Sequence, residues 1–190
     1  MLDVTQLKVI NPLDYPEWDK LVLSTRDYSF FHSSAWAKVL YETYRYKPIY
    51  FTLIRNNQLV ALIPFMEVGS ILTGKRGVSL PFSDYCETIG IDKDDFQNVI
   101  NLLKKYGKEH GWKSLEFRDG NIFPEELCTS SDYFKHTLDI SQMPDQIFSS
   151  FRDSTKRNIK KSEREGVEVK ILNSLESLHG FYRLNCITRK

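Results

Sequence analysis

The sequence has few cysteines, no long apolar run and no N-terminal leader. Its three cysteines lie far apart and include no C-x-x-C pair, so we expect the reduced thiols of a cytoplasmic protein at Cys86, Cys128 and Cys186. The longest apolar stretch, residues 59–65, is about a third of the roughly 20 residues that a membrane-spanning helix needs. Residues 1–10 lack the basic and then apolar pattern of an export signal. These absences predict a soluble chain with no transmembrane segment.

The sequence also lacks the common motifs for metal binding, covalent catalysis and nucleotide hydrolysis. The four histidines are isolated, and neither an H-E-x-x-H nor a G-x-S-x-G pattern occurs. Residues 69–75 have the glycine and lysine spacing of a phosphate-binding P-loop, but the next residue is Arg76, where a P-loop needs Ser or Thr. We therefore predict no metal site and no P-loop, with Lys75 and Arg76 in an exposed turn.

The composition is that of a globular protein with an uneven charge distribution. The 190 residues are 41% hydrophobic and 27% charged, which suits one domain and a remainder. Residues 151–190 hold ten Lys and Arg and five Asp and Glu. Residues 1–150 therefore hold sixteen Lys and Arg and twenty Asp and Glu. Such a basic segment predicts an anionic partner, although a solvated basic helix gives the same pattern.

Hydrophobic periodicity predicts a mixture of strands and helices. Strands are predicted over residues 6–10, 49–54, 59–68, 112–117, 131–140 and 167–172, and helices over residues 14–24, 35–44, from 92 towards 111, 145–151, 152–165 and after 173. The polar residues 55–58 predict the turn of a β-hairpin. This order fits a mixed sheet flanked by helices, so the predicted fold class is α/β (α+β), in the element order of the GNAT acyltransferase fold.

Two segments carry the candidate binding residues. At helical spacing, six cations fall on one half of the predicted helix 152–165, and a face of this kind suits the phosphates of a nucleotide or of RNA. From it we predict phosphate contacts at Lys156, Arg157, Lys160 and Lys161. The second segment, residues 80–86, places a carboxylate and a phenol after a strand, which fits either a structural turn or a binding loop. Asp84 and Tyr85 are the predicted acceptor-site residues.

With these residues in view, the sequence resembles the FemAB-like family, the GNAT-fold aminoacyl and acyl transferases of peptidoglycan cross-bridge synthesis and related surface polymers. Four stretches carry the resemblance: residues 31–36 (Phe-His-Ser-Ser-Ala-Trp), 59–65, 80–86 (Leu-Pro-Phe-Ser-Asp-Tyr-Cys) and 156–169. The last, which runs from Lys-Arg-Asn-Ile-Lys-Lys to Gly-Val-Glu-Val, is the most diagnostic.

The resemblance implies two GNAT-like domains in tandem, with donor and acceptor meeting at or near the cleft between them. We expect residues 1–144 to form the first domain, and residues 145–190 to be the basic helix, strand and helix that open a truncated second domain. The 190-residue chain is therefore expected to be inactive on its own.

The resemblance also implies an activity: transfer of an aminoacyl or acyl group onto an amine of a peptidoglycan or surface-glycan precursor. The implied partners are a cell-wall or glycan precursor and tRNA, with aminoacyl-tRNA or acyl-coenzyme A as co-substrate and no permanently bound cofactor. Because the helix at residue 92 begins Asp92-Lys93-Asp94-Asp95, its carboxylates would repel a coenzyme A pyrophosphate. Two other functions stay open, a non-catalytic polyanion- or RNA-binding module and an ordinary acyl-coenzyme A N-acyltransferase. No catalytic residue is assigned.

Overall fold

The computed structural model describes residues 2–83, 86–118, 130–131, 133–134 and 136–189. The chain divides into two compact units, Met1–Ser130 and Ser131–Lys190. The sequence analysis placed the boundary after residue 144, and the assignment of the two parts to separate GNAT-like domains stays a prediction.

The first unit is built on one mixed sheet with the strand order β1-β2-β3-β4-β5. Strands β1 to β4 pair antiparallel with their neighbours, whereas β4 and β5 pair in parallel. The strands are β1 (Lys8–Ile10), β2 (Lys47–Arg55), β3 (Gln58–Ser70), β4 (Gly74–Val78) and β5 (Trp112–Glu116), and the helices are α1 (Trp18–Leu23), α2 (Ser34–Tyr44) and α3 (Phe96–Glu109). The predicted α/β (α+β) class, a mixed sheet flanked by helices, is confirmed.

The predicted β2–β3 hairpin is confirmed, and its turn has a clear local cause. Arg55 pairs with Gln58, so the loop consists of Asn56 and Asn57 alone. Both asparagines have positive φ angles, 49° and 57°. Two-residue hairpin loops of this kind match the twist of the strands, and asparagine tolerates the left-handed conformation that they require.

Strand β3 is buried on both faces because helices cover both sides of the sheet. Leu62 and Met66 pack into one core cluster, which includes residues of α1 and α2, while Ile63 and Phe65 pack into a second cluster with α3. Alternate side chains of a strand point to opposite faces, so a long apolar strand with both faces covered is the expected centre of such a sheet.

Several predicted element boundaries are wrong. The helix predicted from Asp14 begins at Trp18, after a short 3-10 turn at Pro12–Asp14. Asp92 makes no side-chain capping hydrogen bond, and a 3-10 turn at Lys93–Asp95 precedes α3. The P-loop-like residues 69–75 form the hairpin between β3 and β4, so Lys75 and Arg76 lie in strand β4 and not in a turn.

Glu67 of β3 is a buried carboxylate with two donors. It is 8% exposed, its Oε2 accepts a hydrogen bond from Trp112 Nε1 at 2.8 Å, and its Oε1 lies 3.2 Å from Lys75 Nζ. Burial alone would raise the pKa of Glu67, but the hydrogen bonds from Trp112 and Lys75 and the charges of Lys75 and Lys47 hold that pKa below its ordinary value of 4.5. The ionised carboxylate is therefore the form that the fold stabilises.

We expect Glu67→Gln to make the free energy of unfolding less sensitive to acid. Because the folded-state pKa of Glu67 is depressed, its ionisation stabilises the fold above pH 4.5, and this contribution is lost as pH falls through the folded-state pKa. At neutral pH the variant should lose about 1 to 3 kcal/mol, since a hydrogen bond to a charged group is weakened. Urea unfolding at several pH values measures both effects. Glu116→Gln, which alters a more exposed carboxylate paired with Arg118, is the control, and equal acid slopes for all three proteins would contradict the assignment.

The second unit contains three helices within its described residues, α4 (Pro144–Ser150), α5 (Asp153–Arg164) and α6 (Leu175–Thr188). All three were predicted within a few residues. The strands predicted over residues 131–140 and 167–172 are wrong for the residues described there, which have no regular secondary structure and no ladder pairing. The alternating apolar residues Val167, Val169 and Ile171 are 60%, 90% and 101% exposed. A strand needs a hydrogen-bonded neighbour, and pattern alone does not supply one.

Candidate functional site

Residues 31–36 and the segment after residue 85 meet in the first unit. The backbone N–H of Ser29 donates to His32 Nδ1 at 2.9 Å, which leaves the imidazole proton on Nε2, 2.8 Å from the carbonyl oxygen of Glu87. His32 is fully buried, and its own carbonyl accepts a hydrogen bond from Trp18 Nε1. This histidine therefore fixes the start of α2 against residues 86–91, which is a structural role.

Residues 59–65 meet the same segment from the other side. Leu62 of β3 and Ile89 exchange two backbone hydrogen bonds, each 2.9 Å long. Gly90 follows with a φ of +65°, and a Cβ atom placed there would lie 1.9 Å from the carbonyl oxygen of Val60. Leu62, Leu80 and Cys86 belong to one core cluster, and Phe31 and Trp36 pack against it. Three of the four stretches that carry the family resemblance are therefore brought together in the first unit.

The segment that begins at residue 80 has a strained backbone. Leu80 and Phe82 have positive φ angles of 42° and 62°, which cost side chains other than glycine about 1 to 3 kcal/mol each. Ser83 Oγ donates to the Leu80 carbonyl at 2.6 Å and holds the turn. Backbone strain of this kind is found where the surrounding structure has to hold a residue in one orientation.

Arg118 forms hydrogen bonds with the backbone on both sides of the predicted acceptor residues, at Ser83 and at Cys86. Its Nη1 donates to the carbonyl of Ser83 at 3.3 Å, and its own carbonyl accepts the backbone N–H of Cys86 at 3.0 Å. Asp84 and Tyr85, which lie between those two anchors in the chain, are outside the described residues, so their assignment stays a prediction. Sequence analysis missed Arg118 because it belongs to no motif.

An aromatic row beside this loop was also missed. The rings of Tyr44 and Tyr46 stack at 5.3 Å and 21°, and those of Tyr44 and Phe82 stack at 4.8 Å and 27°. Tyr44 is 47% exposed and Phe82 is 55% exposed. The only sequence signal is the concentration of tyrosines at the end of α2. Their contact with Phe82 joins distant parts of the chain, so the sequence alone does not show it.

The second candidate site lies on α5. Arg157, Lys160 and Lys161, three of the four cations predicted as phosphate contacts, lie together along one open side of α5, which we call the α5 groove. The complete lining is Ser154, Arg157, Asn158, Lys160, Lys161 and Arg164. It contains four cations, two neutral polar residues and no carboxylate, which is a suitable surface for an anion.

Lys156 differs from the other three predicted contacts. Its side chain is only 28% exposed and its Nζ lies 3.9 Å from Asp153. It is outside the groove, on the side of α5 that holds the half-buried Ile159. Lys161 also has a partner, Glu165 at 3.7 Å, whereas within the described part of the chain Arg157 and Lys160 form no ion pair. Whether any of these cations contacts phosphate is a prediction.

The start of α3 carries acidic groups, as the sequence indicated. Asp95 is 2% exposed, and its carboxylate accepts the backbone N–H of Leu2 at 2.6 Å. The neighbouring Asp94 adds a second carboxylate in the turn before α3. A phosphate at this helix end would meet like charge, so the geometry favours α5 over α3 as an anion site.

The described residues contain neither a metal-ligand cluster nor a helix that could span a membrane. No group of three His, Cys, Asp or Glu side chains in that part of the chain is arranged to hold a metal ion. None of its helices is both long enough and apolar enough to cross a bilayer.

Comparison with known proteins gives a family match and a likeness to solved structures. Residues 123–190 match the FemAB family. No curated protein matches the chain. A crystal structure described as ribosomal-protein-alanine N-acetyltransferase from Brucella melitensis biovar Abortus 2308 is similar at 16% identity and a TM-score of 0.40, over 70% of this chain and 96% of that one.

The family match contains the whole of α5 and α6. It supports an acyl or aminoacyl transferase in general. The resemblance read from the sequence is confirmed in that region: over residues 123–190 the chain is FemAB-like.

Proposed function

We propose that the protein is a FemAB-like transferase that moves an aminoacyl or acyl group onto an amine of a peptidoglycan or surface-glycan precursor. The observation that carries the proposal is the cationic groove on α5, which lies within the FemAB match. Such a groove suits the phosphates of tRNA, of coenzyme A or of a nucleotide-linked precursor.

The proposed chemistry fits a chain in which no nucleophile motif is found. The amine nitrogen attacks the carbonyl carbon of an activated ester or thioester, an amide bond forms as the C–O or C–S bond breaks, and the amine proton leaves with the tRNA hydroxyl or the coenzyme A thiol. This step needs alignment of the two reactants, a hydrogen-bond donor for the developing oxyanion and a route for that proton. A covalent enzyme nucleophile is not required. In this scheme the loop around Ser83 and Cys86 serves the acceptor, and the α5 groove holds the phosphate-bearing substrate.

The first test removes two cations from the groove. Arg157→Ala with Lys161→Ala should weaken binding of tRNA at least about tenfold, because two charge-assisted contacts are lost. The slope of the logarithm of the binding constant against the logarithm of the salt concentration should become less steep by about one for each lost phosphate contact. Filter binding at several salt concentrations measures both quantities. The free energy of unfolding should change by about 0.5 kcal/mol or less, since both residues are exposed.

The control variant has the same net charge as the test variant, but the two cations are removed from a different part of the unit. Lys170→Ala with Arg183→Ala removes the same charge from exposed positions of the same unit outside α5. Its affinity for tRNA should stay close to that of the parent. Equal affinity of both double variants would show that only total charge matters and would rule out the groove as the binding site.

A second experiment separates the transferase from a polyanion-binding module. A transferase has to hold donor and acceptor together, so the chain saturated with tRNA should still bind a muramoyl pentapeptide that carries a free amine and no phosphate. Native mass spectrometry detects the ternary complex. A module that only binds polyanions would take up the tRNA without the peptide, and that outcome would contradict the proposed function.

A further inference from the structure

We propose that residues 167–172 pair with the same residues of a second copy of this chain, as two antiparallel strands related by a two-fold axis through Val169. Three properties of the segment select this partner: its order of charges, its unpaired backbone groups and its exposed apolar side chains. The pairing concerns the second unit alone and does not depend on the proposed function.

The segment leaves α5 in a defined way. Gly166, with a φ of +70°, donates its N–H to the Glu163 carbonyl at 3.1 Å, and Val167 donates to the Ser162 carbonyl at 3.0 Å. These two bonds form the Schellman ending of a helix. Beyond them, residues 168–172 make no backbone hydrogen bond within the described part of the chain. Their donors and acceptors are therefore free to pair with another strand.

The side chains of the segment fall on two different sides. Glu168 Oε2 and Lys170 Nζ lie 3.0 Å apart, so these two side chains share one side of the backbone. Val167, Val169 and Ile171 alternate with them and are exposed. A strand with this alternation has one charged face and one apolar face.

The charges select one register of self-pairing. In antiparallel pairing about Val169, Glu168 of each copy lies opposite Lys170 of the other, which gives two cross-strand pairs of opposite charge. The same register places Val167 opposite Ile171, and Val169 opposite its own copy. A two-fold axis through Glu168 or Lys170 would place like charges opposite each other, and parallel pairing in register would do so at both positions. An axis between two residues would place apolar side chains opposite charged ones.

The free backbone groups fit the same register. Opposite residues of an antiparallel pair alternate between hydrogen-bonded and non-hydrogen-bonded positions. Because the Val167 N–H is already bonded to Ser162, the apolar residues take the non-hydrogen-bonded positions. Glu168 and Lys170 then take the hydrogen-bonded positions, and within the described residues their N–H and carbonyl groups have no other bond. The backbone is therefore compatible with the register that the charges select.

Helix α6 offers a cover for the apolar face of the paired strands. Two strands alone are marginally stable in water and need a helix or a further strand against their apolar side. α6 begins at Leu175, four residues after Ile171, and Leu175, Leu178 and Tyr182 form an exposed apolar stripe at helical spacing. Two copies bring two such helices to one ribbon, so the dimer can bury apolar surface that each copy alone exposes.

The first test uses the order of charges. Sedimentation velocity of the 190-residue chain should show a monomer–dimer equilibrium with a dissociation constant on the order of 10 to 100 μM. Lys170→Glu and Glu168→Lys each place like charges opposite each other in both pairs and should weaken dimerisation about tenfold or more. The double variant Glu168→Lys with Lys170→Glu exchanges the charges and should recover the affinity of the parent.

Matched controls separate the register from the net charge. Lys104→Glu and Glu109→Lys, at exposed positions of α3, change the net charge by the same amounts as the two single variants and should dimerise like the parent. The tRNA measurements use the chain below about 1 μM, where it is monomeric, so Lys170→Ala with Arg183→Ala remains a valid control there.

The second test locates the two-fold axis by cross-linking. In a background of Cys128→Ser with Cys186→Ser, Val169→Cys places two thiols at opposite positions, where the Cα atoms are about 4.5 Å apart and a disulfide can form. Ile171→Cys is the matched control, because this position is at least as exposed but lies about 14 Å from its own copy along the strands. Non-reducing gel electrophoresis after air oxidation should show covalent dimers of Val169→Cys forming roughly tenfold faster.

Three results would overturn the pairing. These are a parent chain that stays monomeric up to about 500 μM, a charge-exchanged double variant that dimerises no better than the single variants, and equal rates of cross-linking for the two cysteine variants. A monomeric parent would assign the segment to a different partner. Dimers of a chain that binds no tRNA would contradict the proposed function and leave the pairing in place.

Discussion

Replacing Trp112 with Ala is expected to lower the free energy of unfolding by about 3 to 5 kcal/mol. The indole is 9% exposed, and it packs against Phe65 and Tyr106 at centroid distances of 6.1 and 5.3 Å. Its removal leaves a cavity in the second core cluster, and it also takes the hydrogen-bond donor away from the buried carboxylate of Glu67. Urea unfolding followed by far-UV circular dichroism measures the loss.

Trp112→Phe separates the two causes. The phenyl ring fills most of the cavity but has no N–H group. Trp112→Phe should therefore lower the free energy of unfolding clearly less than Trp112→Ala does, and its loss should come mainly from the missing hydrogen bond to Glu67. In the background of Glu67→Gln the cost of Trp112→Phe should shrink, because the two residues interact directly. Additive costs in the double variant would mean that the hydrogen bond contributes nothing measurable.

The second large effect is expected at Gly90. Gly90→Ala should cost at least about 3 kcal/mol, because a positive φ is unfavourable for alanine and because the new Cβ would overlap the Val60 carbonyl at 1.9 Å. The overlap would push the segment away from β3 and break the paired hydrogen bonds between Leu62 and Ile89. Thermal unfolding of the purified variant measures the cost.

Gly111→Ala is the control for backbone conformation alone. Gly111 has a φ of +73°, close to that of Gly90, but a Cβ there would have no atom within 4 Å. Its replacement should cost about 1 kcal/mol. If both alanine variants lost the same stability, the contact with Val60 would not matter, and the packing of residues 86–91 against β3 would need another explanation.

Local chemistry predicted much of the fold. The asparagine pair at 56–57, the apolar stripe of Phe96, Val99 and Leu103 and the cationic face of α5 depend on residues close in sequence, and the structure has all of them. On α2 helical spacing is less informative: Val39 fits an apolar stripe by spacing but is 46% exposed, and the smaller Ala37 is buried instead. Spacing identifies a stripe, but neighbouring elements decide its centre.

The candidate site was less predictable because it depends on contacts between distant segments. The positive φ angles of Leu80 and Phe82 cannot be read from residue types that normally avoid them. The link from Arg118 to Ser83 and Cys86 joins parts of the chain that follow different strands. The strand prediction at residues 167–172 was wrong for a related reason. Alternation of apolar residues is a property of one segment, whereas a β-ladder requires two hydrogen-bonded strands.

The parallel pairing of β4 with β5 has a consequence for the way in which the chain folds. Strands β2, β3 and β4 are joined by short hairpin turns, so bringing them together costs little chain entropy. β5 joins the sheet only after residues 79–111 have been closed into a loop, which includes α3 and the whole segment of the candidate site. The entropy of closing that loop is offset at the point of contact by Trp112, which pairs with Lys75 and lies on the open surface of Gly77. The residue that completes the sheet thereby also confines residues 79–111, so the formation of the sheet and the placement of this segment are one event.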